Sequence, residues 1–159
     1  MNTSDSIVEF QALLAEFARG LDLPYDRDAQ ALEISADTLR AHVVLHPGHE
    51  ANLAIVIEVL SLGTDEDMAA LTPAQLLLLH RLNHSAWTEH DWQIVIDDDN
   101  DLSLRCHRGI AATDAQALEE LLVDGLERAQ ALAELWREGP SATAGPLEWD
   151  RLGQGVIRG

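Results

Sequence analysis

The run Leu53-Ala-Ile-Val-Ile-Glu-Val-Leu60 constrains the fold more than any other stretch. It is almost continuously apolar and rich in β-branched residues, the pattern of a strand buried on both faces. Such a strand needs a paired neighbour on each edge, so it belongs in the middle of a sheet. Two shorter segments precede it, Ala31 to Ile34 and Leu39 to His46, in which apolar and polar residues partly alternate. Ala36-Asp37-Thr38 separates them and Pro47-Gly48-His49 closes the second, so they read as a hairpin. A second hairpin is predicted from Trp92 to Ile96 and Leu102 to Cys106, joined by Asp97-Asp-Asp-Asn-Asp101.

Helices separate these strands. Ser6-Ile-Val-Glu9 has the form of a capping box, and Ile7, Phe10, Leu14, Phe17 and Leu21 then recur at spacings of three and four. Leu13 widens that stripe, and Gly20 and Pro24 bracket its end. Thr72-Pro73 starts a second helix running to about His90, with an N-cap followed by proline at the first helical position. Thr113-Asp114 starts a third, carrying Leu118, Leu122, Gly125, Ala129, Leu132 and Trp136 on one face. The order is therefore α-β-β-β-α-β-β-α. Strands grouped in hairpins favour an α+β fold, an antiparallel sheet packed by helices, over a parallel α/β one. The domain is expected to span 1–137, and 138–159, holding five of the ten glycines, to be a flexible C-terminal tail.

The second helix carries more leucine than one sheet-facing stripe needs: LLLL at 76–79 spreads around its circumference. Either a second subunit covers the extra face, or the helix is sunk between a sheet and another helix of its own chain.

Charge limits the partners. The chain has 159 residues, with 28 acids against 10 cations, all arginine, for a net of −18. A scattered handful of arginines in such a field does not make a phosphate-binding surface, so nucleic acid is not an expected partner; the acidity serves solubility in any case and, on a sharper reading, attracts basic partners. The 47% hydrophobic content fits one folded core. No leader-like amino terminus and no apolar run of about 20 residues is visible, so membrane insertion is not expected and the protein is expected to be cytoplasmic. Cys106 is alone, which excludes an intramolecular disulfide.

The chemical motifs stop short of a site. His80 and His84 share a helix face, but Arg81 stands where a hydrolytic zinc helix has its glutamate. His42, His46 and His49 offer ligands from a strand and its turn without a completed set. Asp97, Asp99 and Asp101 match the start of a calcium loop, yet Leu102 takes the place of its glycine and Arg108 that of its bidentate glutamate. Cys106 and His107 are strand neighbours that point to opposite faces. No phosphate or nucleophile motif is present, and without lysine no Schiff base can form. No catalytic residue, metal or cofactor is assigned, and the protein is not expected to be an enzyme.

The element order, the acidity and several strings together resemble the class I chaperones of type III secretion, the family that includes the chaperone of the translocated intimin receptor. The strings are LLAEFARGLDLP at 13–24, ANLAIVIEVL at 51–60, LLLLHRLNHSAW at 76–87 and WQIVIDDDNDLSLRC at 92–106, within about residues 6–137. Thr88-Glu-His-Asp91 departs from the small residues that often follow the second helix in that family. The resemblance implies a homodimer joined through the second helix, with Leu76, Leu79, Asn83 and Trp87 near the two-fold axis. It implies an effector as partner, its amino-terminal segment held extended and soluble for the secretion ATPase. Leu13, Phe17, Leu21 and Ile34 are the candidates for that groove, each also suited to plain core packing. Two alternatives stand beside it: a small acidic adaptor or regulator binding a folded protein, and an enzyme using a histidine-bound metal.

Overall fold

Five antiparallel strands in the order β1-β2-β3-β5-β4 form one sheet, with the run Asn52–Ser61 (β3) at its centre. A computed structural model of the chain describes residues 3–26, 30–49 and 51–138, with the side chains of 3–4 and 84–90 outside the description. The helix α1 (Thr3–Gly20) comes first, followed by β1 (Ala31–Ala36), β2 (Leu39–Leu45) and β3. A five-residue helix α2 (Asp65–Ala69) and the long α3 (Pro73–His90) lead to β4 (Trp92–Ile96) and β5 (Asp101–Gly109). A 3-10 turn (Ile110–Ala112) then delivers the chain into α4 (Ala115–Glu138). The expected tail, 138–159, lies outside the described residues apart from Glu138, which closes α4.

Local chemistry sets most boundaries. Asp37 adopts φ 52° in the two-residue turn between β1 and β2, a backbone shape that Asp tolerates better than most residues. Thr72 and Gln75 cap α3 reciprocally, the Gln75 amide donating to Thr72 Oγ1 at 3.2 Å and the Thr72 amide to Gln75 Oε1 at 2.8 Å. Asp114 accepts the Ala117 amide at 2.8 Å and starts α4. In the acidic turn, Asp97 Oδ1 accepts the amides of Asp99 and Asp101 at 3.1 and 2.9 Å, which makes it the anchor of a hairpin.

Two expectations are corrected. The first helix begins at Thr3 rather than at a Ser6 cap, and Ser6 is buried inside it. Asp5 falls in the first turn of this longer helix, where its charge suits the positive end, and the capping pattern at 6–9 is overridden. The helix α2 was not expected. A capping box at Thr64 and Asp67 creates it, with hydrogen bonds of 2.8 to 3.4 Å. These bonds hold the Asp67 carboxyl below its ordinary range.

The core lies on one face of the sheet, where Ala41, Val43, Ile55, Ile57, Leu104, Cys106, Trp92 and Ile94 stand in register under α1 and α4. Gly125 brings α4 onto this face, since a Cβ there would collide with Trp92 and Ile57. Trp92 is fully buried, and its indole N–H donates to Asp124 Oδ2 at 2.9 Å. Asp124 in turn accepts Arg128 Nε at 2.9 Å, so the largest core side chain is tied to a half-buried ion pair.

Candidate partner-binding surfaces

A sheet with two free edges invites strand addition, and proteins usually close one or both. Here the edges differ. On β4, the Ile94 amide points away from β5 and donates to Asn83 Oδ1 of α3 at 2.9 Å. The same helix packs against β4 through contacts that bury Leu78, Leu79 and Leu82. Among the described residues no strand pairs with the outer edge of β1. In a two-residue hairpin the closing pair, Ala36 and Leu39, is hydrogen-bonded, so bonding alternates back along β1. The N–H and C=O groups of Ser35, Glu33 and Ala31 therefore face outward, ready to pair.

The structure separates the four candidate groove residues. Leu13 and Phe17 are 7% and 3% exposed and belong to the core, whereas Leu21 is 44% exposed. Phe17 and Leu21 share a groove between α1 and the start of α4. Ile34 is half-buried on the helix-facing side of β1, next to the open edge.

The second-helix candidates also divide. Leu79 is buried within the chain and Asn83 holds the β4 edge. Leu76 is 52% exposed, and the side chain of Trp87 lies outside the described residues. Leu77, 48% exposed, was missed. Helical phase could have found it: Leu78, Leu79 and Leu82 share a face, which turns Leu77 to the far side. Val8 and Val123, also exposed, break no expected pattern and carried no signal in the sequence.

Among the described residues the titratable groups do not assemble into a reactive centre. Burial pushes the Cys106 thiol up to about 11, the state of an inert core cysteine, and it faces Ile55 while His107 faces the opposite side. His46 stacks edge-on to His107 with ring centres 4.3 Å apart and lies 5.5 Å from His49. Desolvation first, then the neighbouring His46 and Arg105, lowers the His107 pKa. Among the described residues no group of three potential ligands stands in metal-binding geometry, and no helix is long and apolar enough to cross a membrane.

No protein-family model and no curated protein sequence matches the chain. Solved structures do. A chain of the ExsC-ExsE complex superposes with a TM-score of 0.62 at 18% identity, covering 84% of this chain and 95% of its own length. The HopA1-SchA chaperone-effector complex gives 0.63 at 17% identity, over 82% and 97%. The Yersinia pestis type III secretion chaperone SycH, solved with a stable fragment of YscM2, gives 0.56 at 18%, over 76% and 96%. The chain has the fold of these type III secretion chaperones.

Proposed function

We propose that this protein is a cytoplasmic type III secretion chaperone without enzymatic activity. It binds the amino-terminal segment of a secreted effector, keeps it extended and soluble, and leaves its release to the secretion ATPase. The observation that supports this reading is the unequal pair of sheet edges on a chain with this fold: α3 bonds and packs against β4, and among the described residues no strand pairs with β1 beside Ile34. An extended segment added to β1 gains main-chain hydrogen bonds and sets alternate side chains against apolar surface. Ordering such a segment costs about 2–5 kcal/mol of the gross interaction, so a wide surface is required. A homodimer meets that need with two grooves. We assign its seam to α3, a reading supported by the exposed Leu76 and Leu77; Leu79 is buried within the chain, Asn83 bonds to β4, and Trp87 is assigned there by resemblance.

The test is to capture the tagged protein from its host and digest the complex lightly. A protected amino-terminal fragment of roughly 50–100 residues, with slowed amide exchange at Ala31–Ala36, is the expected result. A partner recovered with its own fold intact, leaving β1 exchange unchanged, would overturn the reading in favour of an adaptor.

A further inference from the structure

The groove that Phe17 and Leu21 share runs between α1 and α4 and has a volume of about 810 Å³. Its apolar part is Leu21, Val123 and the half-buried Ala115 over the edge of the core residue Phe17, with Leu21 and Val123 44% and 52% exposed. Exposed aliphatic side chains gathered in a concave surface are unlike single ones scattered over a protein, and mark a place for another apolar group. At Gly20, in the same lining, an added Cβ meets nothing within 4 Å, so the groove is open above the helix end.

The rim has one sign. Glu16, Glu119, Glu120 and Glu127 line it together with Asp124, and no arginine does. Asp124 is already committed to Trp92 and Arg128. Gln116 donates to Glu120 at 3.0 Å, which leaves that carboxylate's charge in place. Carboxylates around an apolar floor, in a chain of net charge −18, favour a cationic occupant and repel an anionic one. A second copy of this chain would bring the same rim against itself, and like charges so placed cost affinity. The segment 139–159 carries Glu148 and Asp150 against Arg151 and Arg158, so it offers no net positive charge.

We infer that the α1–α4 groove binds a basic amphipathic segment of the secreted partner, apolar side chains on Leu21, Val123 and Ala115 and arginine or lysine on the glutamate rim. This rests on the chaperone reading and adds a second point of attachment, separate from the β1 edge. It gives the acidity of the chain a local task, selecting partners by charge as well as by strand pairing.

The probe is a fluorescent peptide of about 18 residues, leucine on one helical face and arginine on the other, with a counterpart carrying glutamate for arginine. Anisotropy is read on the full chain and three variants. Gly20→Phe fills the groove where space is free. Glu16→Gln/Glu119→Gln/Glu127→Gln neutralises the rim. Asp98→Asn/Asp99→Asn/Glu66→Gln removes equal charge from exposed positions elsewhere. The cationic peptide should bind the wild type and the distal variant alike, and weaken about tenfold or more on the rim variant, as three exposed ion pairs allow. Gly20→Phe should weaken it as much without removing any charge. Equal loss on the rim and distal variants, or no loss on Gly20→Phe, would reduce the effect to general attraction and overturn the proposal. So would equal binding of the glutamate peptide. Binding of the captured effector separates the two readings: retained binding by Gly20→Phe sinks the groove alone, and a partner that leaves β1 unprotected sinks the chaperone mechanism. Dimerisation abolished by Gly20→Phe in light scattering would assign the groove to a second copy, and peptide binding strengthened by truncation after Glu138 would assign it to 139–159.

Discussion

Replacing Glu33 by proline tests the open edge with little injury to the fold. Glu33 is exposed on β1, opposite His42 in a pair whose β1 amide points away from β2. Proline there removes an outward N–H and no ladder bond, the edge position at which strands tolerate it. A partner strand lying along Ala31 to Ser35 would exchange up to about six bonds with the three outward residues. At roughly 0.5–1.5 kcal/mol net for each bond, the deleted one and the ring's intrusion on its neighbour together should cost about 1–3 kcal/mol of binding. That is about a 5- to 150-fold rise in Kd. Calorimetry with the effector's amino-terminal segment measures it, and Glu33→Ala supplies the baseline for losing the carboxylate. Ile34→Pro is the contrast, since its amide faces Ala41 within the ladder and its loss should unfold the edge. Wild-type affinity in a Glu33→Pro protein with an unchanged melting temperature would refute strand addition at β1.

Three further outcomes are expected. Gly125→Ala should destabilise the fold by about 1–3 kcal/mol in urea titration, because the new Cβ meets Trp92 and Ile57 in a packed core that has to shift. Asn83→Ala should cost about 1–3 kcal/mol by leaving the half-buried Ile94 amide without its acceptor, and hydrogen exchange should show the loss concentrated in β4. The third concerns pH: His107 has a folded pKa below the ordinary value of 6.5, so the unfolded chain takes up its proton first as pH falls. Its contribution to stability is complete above about pH 6.5 and is lost as pH falls through the lowered folded value. His107→Gln should flatten the melting temperature in that window, while the window set by the lowered Asp67, below 3.8, should remain.

The element order was legible because each element carried its own periodicity. β3 announced itself as central by apolar continuity, α3 and α4 by their caps, and both hairpins by turn residues. What the sequence hid is long-range. Ser6 and Glu9 make a good cap locally, yet the helix extends past them to Thr3, and a local signal cannot show which of two neighbouring starts wins. In the same way Leu13 and Phe17 lie within α1 and are buried, whereas Leu21 follows its last residue, Gly20, and stays exposed beside α4, a helix about a hundred residues away in the chain.

The sharpest case is Asn83. As a polar residue in a leucine-rich helix it invites reading as a register mark at a subunit seam, the use of buried asparagine in coiled coils. Within the chain its side-chain oxygen accepts the amide of Ile94, eleven residues on, and so occupies part of the outer edge of β4. The two assignments make different demands. A seam residue acts only in the dimer, whereas this bond is made within one chain and persists in a monomer. The asymmetry that leaves β1 without a paired strand among the described residues is then a property of the single fold, and the proposed dimer seam at the exposed Leu76 and Leu77 would double the number of such edges without creating them. A monomeric variant that still binds the effector segment, more weakly through lost avidity, is the expected consequence.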